Sequence, residues 1–305
     1  MSWLGSDHSF KRCTKALKEL LGLEMSPSTL RHVTLIHAGR IEALQLRQET
    51  QSYRAMPSLG AKQLIAQADG SMVCTVEGGK SSKAKRPREW KEIRLVSVQA
   101  VGAEHPLYAA SFQSIERTAN QWGHIALKAG RGKNSAVHIV GDGASWICQQ
   151  SGEVYGDQGR FLLDYYHASE YLGAASHACH QTTPKRWLRT QQRRLKRGEA
   201  KKVLNELKDH LESESVSEEE APVRKAYRYL SNRRTQLHYD EAIKKELPIG
   251  SGTIESGHKH VIQSRLKKAG AAWLLEHAES MARMRTAIVN ESWEDYWVNL
   301  NSKAA

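Results

Sequence analysis

An α/β fold with a mixed sheet is what three features of the sequence predict. Short apolar, β-branched runs separated by turn signals fall between residues 62 and 167. A segment of helical spacing, SIERTANQWGHIALKAG, divides them into an earlier group of three and a later group of two. Helix-patterned stretches cover the first 60 residues and again 167–247. The resulting order, β-β-β-α-β-β, reads as a hairpin meander completed by parallel strands after a helical crossover.

The first helical stretch is KALKELLGLEMSPSTLRHVTLIHAGRIEALQ, two apolar-periodic segments broken at Met25-Ser26-Pro27. Ser26 is suited to an N-cap and Pro27 to the first helical position. A short turn between two helices fits a helix-turn-helix, whose second helix, about Thr29 to Ile36, would lie in a major groove. The same pattern also fits an ordinary helical hairpin.

The strand region opens with KQLIAQADGSMVCTV, read as an apolar stretch interrupted by a turn at Asp69-Gly70. A polar, basic loop is expected over EGGKSSKAKRPREWKE, followed by strands in EIRLVSVQAV and HPLYAASF. In the intervening helix Ile115, Ala119, Trp122 and Ile125 share one face. VHIVGDG and GRFLLDYYH are the last two strand candidates.

From 167 to 247 charge is strongly segregated. PKRWLRTQQRRLKRGEAKK is basic, LESESVSEEE is acidic and expected as a flexible loop, and RKAYRYLSNRRTQ is basic again. Such runs are ordinarily solvated faces. Trp187, Tyr227 and Tyr229 among the basic residues also suit backbone contact with some stacking on nucleic acid. Then LPIGSGTIESGHKH supplies a glycine-framed turn, with Ser251 or Thr253 able to cap a helix that carries Glu255 in its first turn.

Composition narrows the partners. Lys and Arg number 45 against 33 Asp and Glu, a net charge of +12 over 305 residues. An excess of that size favours a polyanion, nucleic acid first, through counterion release. No apolar run reaches transmembrane length and no secretory signal opens the chain, so a soluble, cytosolic protein without a membrane partner is expected. Four cysteines without a C-x-x-C pair argue against a disulfide framework or a four-cysteine zinc site. His177, Cys179 and His180 would point in different directions on a helix, which disfavours zinc there. GRGKN at 130–134 lacks the full phosphate-loop pattern, and no covalent recombinase nucleophile is recognisable.

The acids form the chemical signal. ADG at 68–70 and GDG at 141–143 each place an aspartate at the end of a strand candidate. In open α/β sheets ligands gather outside the carboxyl ends of strands. Two carboxylates brought together there call for a cation between them, and hard divalent ions prefer oxygen ligands. With Glu255 from the late helix, three acids can hold two ions for in-line phosphoryl transfer. Any one of the three alone is ordinary turn or surface chemistry.

IAQADG with REWKEIRL, HIVGDGASWI, LLDYYHASEYL, LPIGSGTIESGHKHVIQSRLKKAGAAW and the closing SWEDYW occur in this order between about 60 and 297. In these blocks the chain resembles the DDE-type bacterial insertion-sequence transposases of the ISKra-type group, and more distantly the Mutator-like elements. The resemblance implies an RNase H-like fold with a helical insertion before the last acid. It divides the chain into a helix-turn-helix-like segment (1–60), the first part of the catalytic core (61–172), the insertion (173–247) and C-terminal core helices (248–305). Asp69, Asp142 and Glu255 become the catalytic, metal-binding acids, holding two Mg²⁺ or Mn²⁺ ions. Asp164 and His167 match a (C/D)-x-x-H motif, with Asp164 ending a strand and His167 starting a helix as support for the site. Relatives of this kind carry more residues before the helix-turn-helix region, so a shortened N-terminus is expected.

The function expected is end cleavage and strand transfer at terminal inverted repeats and target DNA by a homo-oligomer. Phosphate contacts are assigned to Lys185, Arg186, Arg189, Arg193 and Arg194, and to Lys259, Arg265, Lys267 and Lys268. The rival readings are an RNase H-like nuclease and a non-catalytic DNA-binding protein derived from a transposase.

Overall fold

The structure, a computed structural model, describes residues 1–78 and 86–301. The chain forms two compact units, Met1–Ser135 with Gly252–Ala305 and Ala136–Ser251. The composition is mixed α/β, as expected. Among the described residues no helix is long and apolar enough to cross a membrane.

The first unit begins with α1 (Ser2–Asp7), α2 (Phe10–Leu21) and α3 (Pro27–Gln48). Ser9 and Ser26 cap α2 and α3 by accepting the N–H of Arg12 (3.4 Å) and Thr29 (3.0 Å). Pro27 takes the first helical position, and Gly22 closes α2 at φ 64, where a side chain would be strained. Cys13, Leu17 and Leu30 bury one another, whereas Ala38 and Ile41 join the larger core of this unit. The helical pattern assigned to the first 60 residues stops at Gln48.

β1 (Gln63–Val76) and β2 (Arg88–Ala100) form an antiparallel hairpin in continuous register from Leu64↔Ala100 to Val76↔Arg88. The turn expected at Asp69-Gly70 is therefore absent. Both residues lie mid-strand, opposite Leu95 and Arg94, so Asp69 does not stand at a strand end. Pairing along the whole ladder overrides the local turn preference of Asp-Gly. An added Cβ at Gly70 would meet the Glu92 carboxylate, the far end of a flexible side chain that can swing aside. Arg88–Glu92 of the expected basic loop lie within β2, and its residues 79–85 fall outside the described residues. β3 (Leu107–Ser111) pairs with β2, and α4 (Ile115–Lys128) follows, its Ala119, Trp122 and Ile125 buried as the spacing predicts.

The second unit opens with β4 (Ala136–Gly141), α5 (Ser145–Tyr155) and β5 (Gly159–Leu163); the strands are parallel, from Val137↔Gly159 to Gly141↔Leu163. Five helices follow: α6 (Tyr165–Cys179), α7 (Pro184–Lys196), α8 (Ala200–Lys208), α9 (Pro222–Ser231) and α10 (Tyr239–Lys244). Val140, Leu162, Leu172, Leu195 and Leu230 lie in their common core. The acidic stretch, expected as a flexible loop, works as a cap. The two Glu212 oxygens accept the N–H groups of Val223 and Arg224, both at 2.8 Å, at the start of α9. Glu218 pairs with Arg224 and Arg228.

The chain then returns to the first unit as α11 (Gly252–Gly257), which runs through a π-helical segment (His258–Gln263) into α12 (Ser264–Leu266). β6 (Trp273–Leu274) pairs in parallel with the end of β1, before α13 (Leu275–Val289) and α14 (Trp293–Asn301). α13 brings Met281, Ala282 and Met284 into one core with Ala38 and Ile41 of α3. Its Arg283 is buried between Glu279 and Glu49, each 2.8 Å away. Glu279 also accepts the Ser111 hydroxyl and the Phe112 N–H, so the buried charges are shared among donors.

Candidate active site

Strand alternation places Gln67, Asp69 and Ser71 on one face of β1. The helical run from α11 to α12 meets all three. Gln67 Oε1 accepts the Ile254 N–H at 2.9 Å, and Lys267 Nζ donates to Ser71 Oγ at 2.6 Å. Between them, His258 Nε2 lies 3.2 Å from Asp69 Oδ2. That contact has the distance of an ion pair without hydrogen-bond alignment, and neither ring nitrogen of the buried His258 is otherwise satisfied. Asp69 Oδ1 accepts the Gly70 N–H at 2.7 Å, and the side chain keeps 38% exposure.

The helix can come this close because of Gly257, where a Cβ would overlap the Tyr108 ring and sit 3.0 Å from Leu95 Cδ2. The π-helical segment starts one residue later, at His258. Wider turns of this kind recur at functional sites in helices. Glu255 is exposed and pairs with no described residue. The helix that carries Glu255 therefore docks on the strand that carries Asp69.

In the second unit Asp142 follows the last residue of β4. Its Oδ1 accepts the Ala144 N–H at 2.8 Å, and Oδ2 has no partner among the described residues. Gly143, at φ 81, completes the turn, and a Cβ there would overlap Arg233 and Leu163. Backbone oxygens hold the loop: Tyr229 OH donates to Asp142 O at 2.5 Å, and Arg233 donates to Gly143 O at 2.7 Å. Tyr229 stacks on Tyr171 with ring centroids 3.9 Å apart, so its ring is already occupied. Burial pushes its phenol well above the usual range, and the hydroxyl stays a donor.

Asp164 follows β5 and is fully buried as the cap of α6. Oδ1 accepts the N–H of Tyr166 (2.6 Å) and His167 (3.0 Å), and Oδ2 that of Ser251 (2.5 Å). The Asp164 of the expected motif thus ends its strand and His167 lies in the first turn of a helix. Asp164 supports by hydrogen bonding alone. His167 is 42% exposed, with Nδ1 3.6 Å from Glu170. Tyr165 N donates to Ile249 O and His138 Nε2 to Pro248 O, so three contacts hold the turn at 248–251. Gly250 lets it approach Tyr166.

The assigned phosphate-binding residues divide. Lys185, Arg186, Arg189, Arg193, Lys259 and Lys267 are exposed, and Lys268 is half-buried. Arg194 is instead engaged with Glu206 (3.0 Å), which also accepts the indole N–H of the buried Trp187, so neither is free for nucleic acid. Arg265 is a clearer correction. It is buried, donates to Gly5 O at 2.9 Å, and lies 4.6 Å from the rings of both Phe10 and Trp273. Burial lowers its pKa to about 10. A basic residue on an amphipathic helix reads as solvated in sequence, but this one falls on the inner face.

Among the described residues no group of three or more His, Cys, Asp or Glu side chains is gathered to hold a metal ion. Asp69 and Glu255 belong to the first unit and Asp142 to the second. Asp142 and Glu255 each keep carboxylate oxygens unclaimed by described residues, the donor type that hard divalent cations prefer. Burial, helped by Glu206 and Glu212, pushes the Cys179 thiol up to about 12.

Gln67 and His258 were not foreseen as part of the site. Gln67 stands two residues before Asp69 and His258 three after Glu255, the strand and helix spacings that share a face. The profile of the uncharacterised protein family UPF0236 matches residues 115–297, more than half of the chain, including Asp142, Asp164, His167 and Glu255 but not Asp69. No curated protein matches the chain.

Proposed function

The chain belongs to the uncharacterised protein family UPF0236, and from that premise we propose that it is a DDE transposase of the ISKra-type group with an RNase H-like catalytic core. The family is commonly associated with transposase-like proteins. The observation that carries the reading is the docking of the Glu255 helix along the Asp69 face of β1 through Gln67, His258 and Lys267.

In this reading Asp69, Asp142 and Glu255 hold two Mg²⁺ or Mn²⁺ ions. Bound there, such ions supply an activated water or 3′-hydroxyl and stabilise the leaving oxygen. The chain's own residues set the ligands. Gly70 N–H and His258 orient Asp69. Tyr229 and Arg233 fix the Asp142 and Gly143 carbonyls that follow the Asp142 side chain, and Ala144 N–H leaves one of its oxygens free. Lys185, Arg186, Arg189, Arg193, Lys259 and Lys267 contact phosphates of the inverted repeats and target DNA. Joining two ends requires a multimer on DNA, in the bacterial cytoplasm.

The test is strand transfer of an end oligonucleotide with Mg²⁺ or Mn²⁺, comparing wild type with Asp142→Asn and Glu255→Gln. Joined product that both variants lose is expected. Cleavage without joining would replace the reading with a nuclease, and DNA binding without cleavage with a non-catalytic binder. Undiminished transfer in Asp142→Asn would overturn the ligand assignment.

A further inference from the structure

Two hollows of opposite charge flank Val76 and Leu274, where β6 pairs with the end of β1, and both residues line each of them. The larger, about 840 Å³, is lined by Glu42, Glu77, Glu89, Glu276 and Glu279, with Lys91 the sole basic side chain among the described residues. The smaller, about 400 Å³, has no acidic residue among the described residues that line it. Its arginines come from two places in the chain, Arg31 on α3 and Arg86 and Arg88 at and just before the start of β2, and His277 on α13 lines it too. The buried Arg265 adds a further fixed charge beneath them.

Arg31 and Arg88 are exposed, and neither pairs with any described acid. These two guanidinium groups, facing a concave wall, focus a field that an anion relieves. Most of the remaining lining is apolar, including Leu35, one helical turn after Arg31, together with Leu274 and Ala271. A hollow of this volume is of small-ligand size, so it suits one nucleotide and not a duplex. Cationic groups beside an apolar wall match a phosphate joined to a sugar and a base.

We infer that this cleft binds an unpaired nucleotide of a DNA strand, with phosphate on Arg31 and Arg88 and the sugar and base against Leu35 and Leu274. The inference rests on the transposase reading for its choice of ligand. It gives α3 a task different from lying in a major groove: Arg31 meets a single strand.

The experiment is fluorescence anisotropy of the full chain with labelled blunt duplex and with the same duplex bearing a single-stranded overhang. Wild type is compared with Arg31→Ala/Arg88→Ala and with Lys185→Ala/Arg189→Ala, which removes the same charge from the second unit. Thermal melting confirms folding, and all four side chains are exposed. The expected result is a loss of about tenfold or more for the overhang in the Arg31/Arg88 variant, with little change for blunt duplex. The Lys185/Arg189 variant should weaken both DNAs alike. Unchanged overhang binding, or equal losses for both DNAs in the Arg31/Arg88 variant, would overturn the inference and leave the transposase reading intact. Failure of the wild type to bind either DNA would remove the transposase reading itself, and the inference with it.

Discussion

Asp142 and Asp164 stand in the same place on neighbouring strands. Each follows the last residue of its strand, and those last residues, Gly141 and Leu163, are partners in the parallel register. Their fates are opposite. Asp164 is fully buried and gives both oxygens to three backbone N–H groups. Asp142 is half-exposed and gives one oxygen to one N–H. A strand's carboxyl end brings an acid to where ligands gather in α/β sheets. The number of donors the protein itself aims at the acid then decides whether it is a strut or remains available. The neighbours set that number: Gly143 turns the chain away from Asp142 at φ 81, while Tyr165 begins a helix whose first N–H groups need an acceptor.

The largest effect that tests this contrast is on chemistry. Asp142→Asn should lower strand transfer by about 10²–10³-fold, the range for removing one charge-stabilising group from an active site. Its melting temperature should stay within a few degrees of wild type, because the amide oxygen can still accept the Ala144 N–H. A large drop in melting temperature would mean that Asp142 is a strut as well, and the contrast would break.

Stability separates the pair in the other direction. Asp164→Ala leaves three N–H groups, one buried and two part-buried, without their charged acceptor and should cost about 3 kcal/mol or more, read from the urea midpoint. Asp142→Ala removes a single hydrogen bond and should cost about 1 kcal/mol. Equal losses would show that donor number does not govern the two positions.

Much of this was visible in the sequence, and what was not has identifiable physical causes. Periodicity located β2, β3, α4, β4 and β5, and capping chemistry located the start of α3, because those signals are local. Asp69-Gly70 misled because its turn preference is also local, whereas the ladder opposite Leu95 and Arg94 comes from residues far along the chain. Arg265 and Trp187 misled for a related reason. Charge content along a helix is legible, but which face meets the core depends on neighbours such as Phe10 and Trp273, or Glu206. The seat of Glu255 needed Gln67 and His258, ordinary residues until the helix is laid on the strand.

That seat offers a prediction of intermediate size. In Gly257→Ala the added methyl would overlap the Tyr108 ring and press on Leu95, so α11 must shift off β1. The expected cost is about 1–3 kcal/mol, as for other overpacked core positions. Strand transfer should fall further than stability at assay temperature explains, since Glu255 and His258 move with the helix. Normal transfer in a measurably destabilised Gly257→Ala would show that Glu255 tolerates displacement, and that the first unit's acids are less exactingly held than Asp142.

The smallest expected effect concerns the turn that Asp164 shares with His138. The His138 ring is buried, and its Nε2 donates to Pro248 O at 2.8 Å while Asp164 takes the Ser251 N–H. Burial lowers the His138 pKa, with the charges of His238, Lys245 and Arg160 in the same direction and the Pro248 contact opposing. A lowered native pKa means that below about pH 6.5 the unfolded chain binds more protons than the folded one. Stability is therefore full above that pH and lost as pH falls through the native pKa. His238 in the same unit, and His37 and His124 in the first, are lowered by burial too, so the whole chain should lose stability on acidification. His138→Gln retains a donor for Pro248 O and cannot gain charge. Its urea midpoint should fall less than wild type between about pH 7.5 and about pH 5. An equal fall would show that protonation of His138 is accommodated, and that Asp164, through the N–H groups it accepts, holds the turn without it.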